Sequence, residues 1–169
     1  MKFDALMEHV EDSLRGGEFL AKNIPRMADI GSGGGLPGIP LAIKNPDIEF
    51  SLIESCRKKC SFLRMVKSQL GLKNLLIFNN RIEHLGLFDC LISRAAFSPD
   101  DLNLLSGALV PSGSLFLWST TKIMGQQISS LKSLGCELVE SHNYSLSNGK
   151  SRVVLEFKNV PRGTKEIKR

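Results

Sequence analysis

Asp29-Ile30-Gly31-Ser32-Gly33-Gly34-Gly35-Leu36-Pro37-Gly38 decides how this chain is read. The run follows one short apolar stretch and opens another, which is where a strand turns into a helix. Glycines at such a turn let the backbone approach a ligand closely and present bare N–H groups at a helix N-terminus. A nucleotide-like ligand is the natural guest; the alternative is a glycine-rich turn with no ligand.

Two patterns overlap in the run. Gly33-x-Gly35-x-x-Gly38 satisfies a dinucleotide fingerprint. Asp29-x-Gly31-x-Gly33-x-Gly35 satisfies the acidic loop of S-adenosylmethionine (SAM)-dependent enzymes. SAM carries no phosphate but has an amino-acid end and a sulfonium cation, and an acid just ahead of the turn suits that cationic end. The chain has 169 residues, enough for one domain with a sizeable core but too few for a dinucleotide domain plus a substrate domain. Length thus favours SAM.

With 42% hydrophobic and 23% charged residues the composition is that of an ordinary globular protein. No apolar run approaches the ~20 residues of a membrane span, and the N-terminus lacks the apolar core of a signal peptide. The expectation is a cytoplasmic protein with no membrane partner, read as a monomer. Cys56, Cys60, Cys90 and Cys136 form no C-x-x-C pair, and His9, His84 and His142 lie far off, so reduced structural thiols and no metal are expected. The net charge of +5 favours a polyanionic partner modestly. Basic residues gather in Arg57-Lys58-Lys59 with Arg64 and Lys67, and in a tail (Arg162, Lys165, Lys168, Arg169) that reads as a solvated end.

Apolar spacing predicts helices over 1–24 (Phe3, Leu6, Met7, Val10, Leu14), interrupted at Gly16-Gly17 and ended by Pro25, and over 36–44, 57–70, 99–109 and 123–134. Strands are predicted over 27–31, 49–54, 75–78, 88–93, 114–118, 137–140 and 153–157. Pro111-Ser112-Gly113 reads as a tight turn before the fifth strand, and Ser98 as an N-cap. Leu63, Val66 and Leu70 form the apolar side of the third helix, with Gly71 as its cap. Alternating strand and helix predicts an α/β fold: a doubly wound, mostly parallel seven-stranded sheet, Rossmann-like, with a C-terminal antiparallel hairpin across Ser147-Asn148-Gly149-Lys150. The chain reads as a single domain over 1–169.

Ligands of open α/β sheets sit at the carboxyl ends of the strands. The glycine loop falls there, as does Glu54, about 20 residues on, where an acid can accept both ribose hydroxyls of an adenosine. Ile82-Glu83 follows the third strand and Ser93-Arg94 the fourth.

Together these residues resemble a known family. The run from Asp29 through Gly-Leu-Pro-Gly-Ile-Pro-Leu-Ala to Ile43 is similar to the signature loop of the bacterial 16S rRNA guanine-N7 methyltransferase G family (RsmG), once called glucose-inhibited division protein B. Leu52-Ile-Glu-Ser55 with Lys58-Lys59, Arg81-Ile82-Glu83, and Phe88-Asp-Cys-Leu-Ile-Ser-Arg94-Ala95 follow in order. His9-Val-Glu-Asp-Ser-Leu14 is similar to the family's H-I-L-D-S-L segment. The resemblance runs from about residue 8 and thins after residue 110.

What it implies is a class I SAM-dependent methyltransferase acting on N7 of a guanine in 16S rRNA, on naked RNA or on the small ribosomal subunit. Cofactor contacts would fall on Asp29, Gly31, Gly33, Gly35, Leu36, Glu54, Ile82, Glu83 and Arg94. Arg94 would hold the guanine O6 edge, a phosphate, or the cofactor. Lys58, Lys59, Arg64 and Lys67 would meet RNA phosphates. Guanine N7 carries a lone pair and no proton, so no general base is expected. Three departures stand out. Residues 1–24 form a helical segment shortened relative to the family, which would expose apolar surface. Residue 54 is usually aspartate there. The family's lysine after strand five is absent, with Lys122 the next available. The competing expectations are a small-molecule methyltransferase of the same fold and a non-catalytic RNA- or ribosome-binding module with a degenerate cofactor pocket.

Overall fold

The central strand β1 (Arg26–Ile30) is buried at four of its five positions, as a strand covered on both faces must be. Around it, in a computed structural model describing residues 3–20, 24–94 and 98–160, the sheet takes the order β3-β2-β1-β4-β5-β7-β6. β2 is Glu49–Ile53, β3 Leu75–Phe78, β4 Phe88–Ser93, β5 Leu109–Ser119, β6 Cys136–Ser145 and β7 Ser151–Asn159. β1 to β5 pair in parallel, and β7 returns antiparallel between β5 and β6. The order reverses at β1, so the carboxyl ends of β1 and β4 splay to form the crevice such sheets use for ligands.

Helices α1 (Phe3–Gly16), α2 (Gly38–Lys44) and α3 (Arg57–Leu70) attend one core, built on Met27, Leu41, Phe50, Leu63 and Phe116. α4 (Pro99–Gly107) and α5 (Met124–Ser133) close the other, built on Ala28, Leu91, Leu105, Leu115 and Leu131. Ser98 caps α4 in a reciprocal box with Asp101, and Gly71 ends α3 in the left-handed conformation.

Several expectations shift. The first helix stops at Gly16 and continues as a 3₁₀ turn, Gly17–Phe19; residues 1–2 and 21–23 and the basic tail lie outside the described residues. Pro111-Ser112-Gly113 is no turn before β5 but a bulge within it. Between Phe88↔Leu109 and Cys90↔Ser114 the register slips, and Ser112 takes φ 64°. Proline has no N–H to give a ladder, so the strand bulges around it instead of ending. β6 also runs longer than the pattern suggested, because its outer edge faces solvent and lacks an apolar alternation.

The apolar sides of α1 and α3 are not wholly in the core. Leu6, Phe62 and Leu70 are exposed, and with Val10, Ile39, Ile43 and Val66 they line an apolar groove of about 740 Å³. α1 docks on the sheet through its polar side: Asp12, Ser13 and Gly16 are its buried residues. Gly16 lies against the indole of Trp118, whose Nε1 donates to the Asp12 carbonyl at 3.1 Å.

At the end of β1, Asp29 is 1% exposed, and its Oδ2 accepts the Gly38 N–H at 3.1 Å, which ties the start of α2 to the strand. Burial pushes its carboxyl up to about 7, against the pull of that N–H and of the Arg94 charge.

Two outcomes follow from this packing. Gly16→Ala drives a methyl into Trp118 and should lower the unfolding free energy by about 1–3 kcal/mol in urea titration, whereas Gly107→Ala, in open space at the end of α4, should be neutral or slightly stabilising. Asp29 binds its proton more tightly folded than unfolded. Its contribution is therefore favourable at low pH and is lost as pH rises from about 4 to about 7. Asp29→Asn keeps an acceptor for Gly38. It should flatten that fall, whose steepest slope is about 1.4 kcal/mol per pH unit, in melts across this range.

Candidate active site at the strand ends

The glycine loop is held by its own chain. Gly31, Gly33 and Gly35 sit at φ 69°, 55° and 87°, a region that side chains with a Cβ avoid. The N–H groups of Gly31 and Ser32 donate to the Ile53 carbonyl, at 3.0 and 3.2 Å. Those of Gly35 and Leu36 donate to the Ser32 carbonyl, and that of Gly38 to Asp29. The expected row of bare amides is therefore largely consumed inside the loop. A pyrophosphate would need those donors. The loop offers instead a close backbone wall, which suits a ligand without phosphate.

Glu54 closes the same loop from the end of β2. Its Oε2 accepts the Gly33 N–H at 3.0 Å and its Oε1 the Cys56 N–H at 2.8 Å, with Lys59 Nζ 3.7 Å away. The residue is 6% exposed. A carboxylate has about four acceptor positions, so two are left for donors from outside. Cys60, buried on α3, donates its thiol to the Glu54 carbonyl at 3.1 Å, and Asn79 donates to the same carbonyl and to that of Ser55. Burial raises the Cys60 thiol, which keeps it protonated and structural.

A hollow of about 300 Å³ opens beside Glu54. Gly31 and Glu54 form one wall, Asn80, Arg81, Ile82 and Glu83 a second, and Asp101, Leu104 and Leu105 of α4 a third. Four residues singled out in the sequence (Gly31, Glu54, Ile82, Glu83) meet here. Asp29 lies buried at the base of the loop, and among the described residues its Oδ1 accepts no hydrogen bond of good geometry. Gly35 and Leu36 face the apolar groove, on the α1 side. Asn80 and the α4 wall were not singled out. The strand-end position of Asn80 and the capping role of Asp101 were the available signals.

Arg94 leaves the end of β4 toward α1, with Nη1 3.3 Å from the His9 carbonyl and 3.5 Å from Asp12 Oδ2. Lys58, Lys59 and Arg64 project into solvent from α3, with Lys67 half-buried. Among the described residues none of Lys58, Arg64 and Lys67 pairs with a carboxylate, no group of His, Cys, Asp and Glu is arranged to hold a metal, and no helix is long and apolar enough to cross a membrane.

The donor set fits an adenosyl ligand: a fixed carboxylate with spare acceptor positions, apolar walls from Ile82, Leu104 and Leu105, and a loop whose amides are already spent. Comparisons with known proteins speak to the fold and to the family. A crystal structure of a methyltransferase from Pyrococcus furiosus superposes with a TM-score of 0.73 at 16% identity, over 88% of this chain and 81% of that one. A ribosomal RNA small subunit methyltransferase G from Cellvibrio japonicus is 43% identical over 115 residues, covering 64% of this chain and 52% of the relative. Its counterpart from Streptococcus pyogenes is 30% identical over 168 residues, covering 90% and 70%. The chain thus spans about half the length of the first relative. The family model described as rRNA small subunit methyltransferase G matches residues 2–152, and the chain belongs to that family.

Proposed function

We propose that this protein binds SAM in the hollow beside Glu54 and transfers its methyl group to N7 of a guanine in 16S rRNA. The observation that carries the reading is the Glu54 carboxylate. Two backbone N–H groups hold it rigidly, and its free acceptor positions border a cavity with apolar walls. In this reading Glu54 accepts the two ribose hydroxyls, and Ile82 and Leu104 flank the adenine ring. Glu83 lies within reach of its polar edge. The glycine loop backs the amino-acid end, with Asp29 beneath it.

When bound, SAM supplies an electrophilic methyl carbon on a sulfonium. The remaining task is alignment. Guanine N7 needs no deprotonation, so the residues have to bring nucleophile, carbon and sulfur into line and exclude water. Such orientation is worth roughly 7–11 kcal/mol in favourable cases. Arg94, at the end of β4, is the candidate for the guanine O6 edge or an adjoining phosphate, since its planar fork suits either. N7 faces the deep, narrow major groove of an RNA helix, so a loop base in the small-subunit RNA is the accessible target. Lys58, Lys59, Arg64 and Lys67 track the phosphates.

Methyl incorporation from labelled SAM into small ribosomal subunits, mapped to a guanine N7, tests the proposal; incorporation elsewhere or none at all, with SAM bound, rejects the substrate. Calorimetry with SAM separates an enzyme from a binding module whose pocket no longer works. Glu54→Gln removes one of the acceptors used by the loop and should weaken SAM roughly 10- to 100-fold in that titration, the loss of one charge-assisted hydrogen bond or two. Lys58→Ala and Arg64→Ala should each weaken RNA binding without changing SAM affinity, and each should reduce the slope of log affinity against log salt by about 1.

A further inference from the structure

Asp12 is an anomaly in the packing of α1. It is a carboxylate on the sheet-facing side of α1, 6% exposed, where an apolar residue would cost less to bury. Four groups converge on it, from β5, β6, β7 and the residue that follows β4. Tyr144 Oη donates to Oδ1 at 2.7 Å, and Arg152 Nε lies 3.7 Å from the same oxygen. Trp118 Nε1 donates to the Asp12 carbonyl at 3.1 Å, and Oδ2 faces Arg94 Nη1 at 3.5 Å.

We infer that Asp12 is the positioning residue for Arg94, fixing the guanidinium at the carboxyl end of β4 so that it meets the guanine or its phosphate in one orientation. This rests on the reading of Arg94 given above. The geometry supports a chain of constraint. The β6–β7 hairpin, through Tyr144 and Arg152, fixes Asp12. Asp12, with the His9 carbonyl 3.3 Å from the same Nη1, fixes Arg94. Without an anion at residue 12, Arg94 keeps one neutral acceptor and gains rotamers, and an arginine that samples several rotamers holds a substrate edge in only a fraction of encounters. Asp12 does not line the hollow, so cofactor affinity should be insensitive to it.

Asp12→Asn keeps the shape and the acceptor for Tyr144 but removes the charge facing Arg94. It should lower kcat roughly tenfold or more, leaving SAM affinity and the KM for RNA within about threefold. Glu11→Gln loosens α1 from the hairpin, where Glu11 accepts from Ser147, without touching Arg94, and should leave kcat unchanged. In a double-mutant cycle, Asp12→Asn should add nothing to Arg94→Gln. Multiplying losses, or equal losses in Glu11→Gln and Asp12→Asn at equal loss of melting temperature, would overturn the inference. Should Asp12→Asn fail to fold, Tyr144→Phe, which frees Oδ1, should still lower kcat by roughly twofold or more at constant KM; a folded Tyr144→Phe with wild-type kcat counts against it. A readout without turnover separates this inference from the proposed function. The side-chain NMR signal of the Arg94 guanidinium should show slowed rotation in the wild type and lose it in Asp12→Asn. If no methyl transfer is seen, the proposed function fails by itself. An unchanged Arg94 signal overturns the role given to Asp12.

Discussion

One carboxylate organises the carboxyl edge of this sheet. Glu54 stands at the end of β2, takes the Gly33 N–H from the loop after β1, and takes the N–H of Cys56, the residue just before α3. Loop, strand end and helix start are thereby fixed to one another by charge-assisted hydrogen bonds in a desolvated place, where they are worth more than at the surface. The glycine loop could not hold its shape through side chains, because its residues have almost none. It is held by Glu54 from one side, by Asp29 through Gly38 from the other, and by the Ile53 carbonyl beneath. The extra methylene of a glutamate gives residue 54 its reach to the loop.

Two kinds of interface meet on α1. Its buried side is polar and exchanges hydrogen bonds with Trp118, Tyr144, Arg152 and Arg94. Its apolar side lines an open groove with α2 and α3. Apolar stripes usually mark the side of a helix that faces the core. Here Gly16 lets the helix end settle on Trp118 and Gly17 lets it settle on Leu41, and the polar side goes inward because specific partners wait there. The helix thus does more than cover the sheet: it reaches the end of β4, where Arg94 emerges.

Much of the fold was legible in the sequence because its central strands are continuous apolar runs bounded by turn residues. β3, β4 and α3 end where their patterns end. The bulge in β5 was not legible, since Pro111-Ser112-Gly113 carries the chemistry of a turn, and the pairing with β4 that keeps it inside a strand is tertiary. What lies against the apolar sides of α1 and α3 was not legible for a related reason: periodicity reveals an apolar side but not what covers it. At the site, strand-end position singled out Gly31, Glu54, Ile82 and Glu83, and the structure brings these four around one hollow. Strand-end position did not reveal that the loop amides are spent internally, which depends on the carbonyls of Ile53 and Ser32. The wall supplied by Leu104 and Leu105 was hidden as well, because α4 reads as an ordinary packing helix.

The hollow beside Glu54 is tested most directly by a crystal structure of this protein soaked with S-adenosylhomocysteine, the demethylated cofactor. Both ribose hydroxyls should lie within hydrogen-bond distance of the Glu54 carboxylate, which keeps its bonds to Gly33 and Cys56, with the adenine ring between Ile82 and Leu104. A nucleoside seated elsewhere, or a Glu54 that touches only the loop while the hollow stays empty at saturating ligand, would contradict this placement.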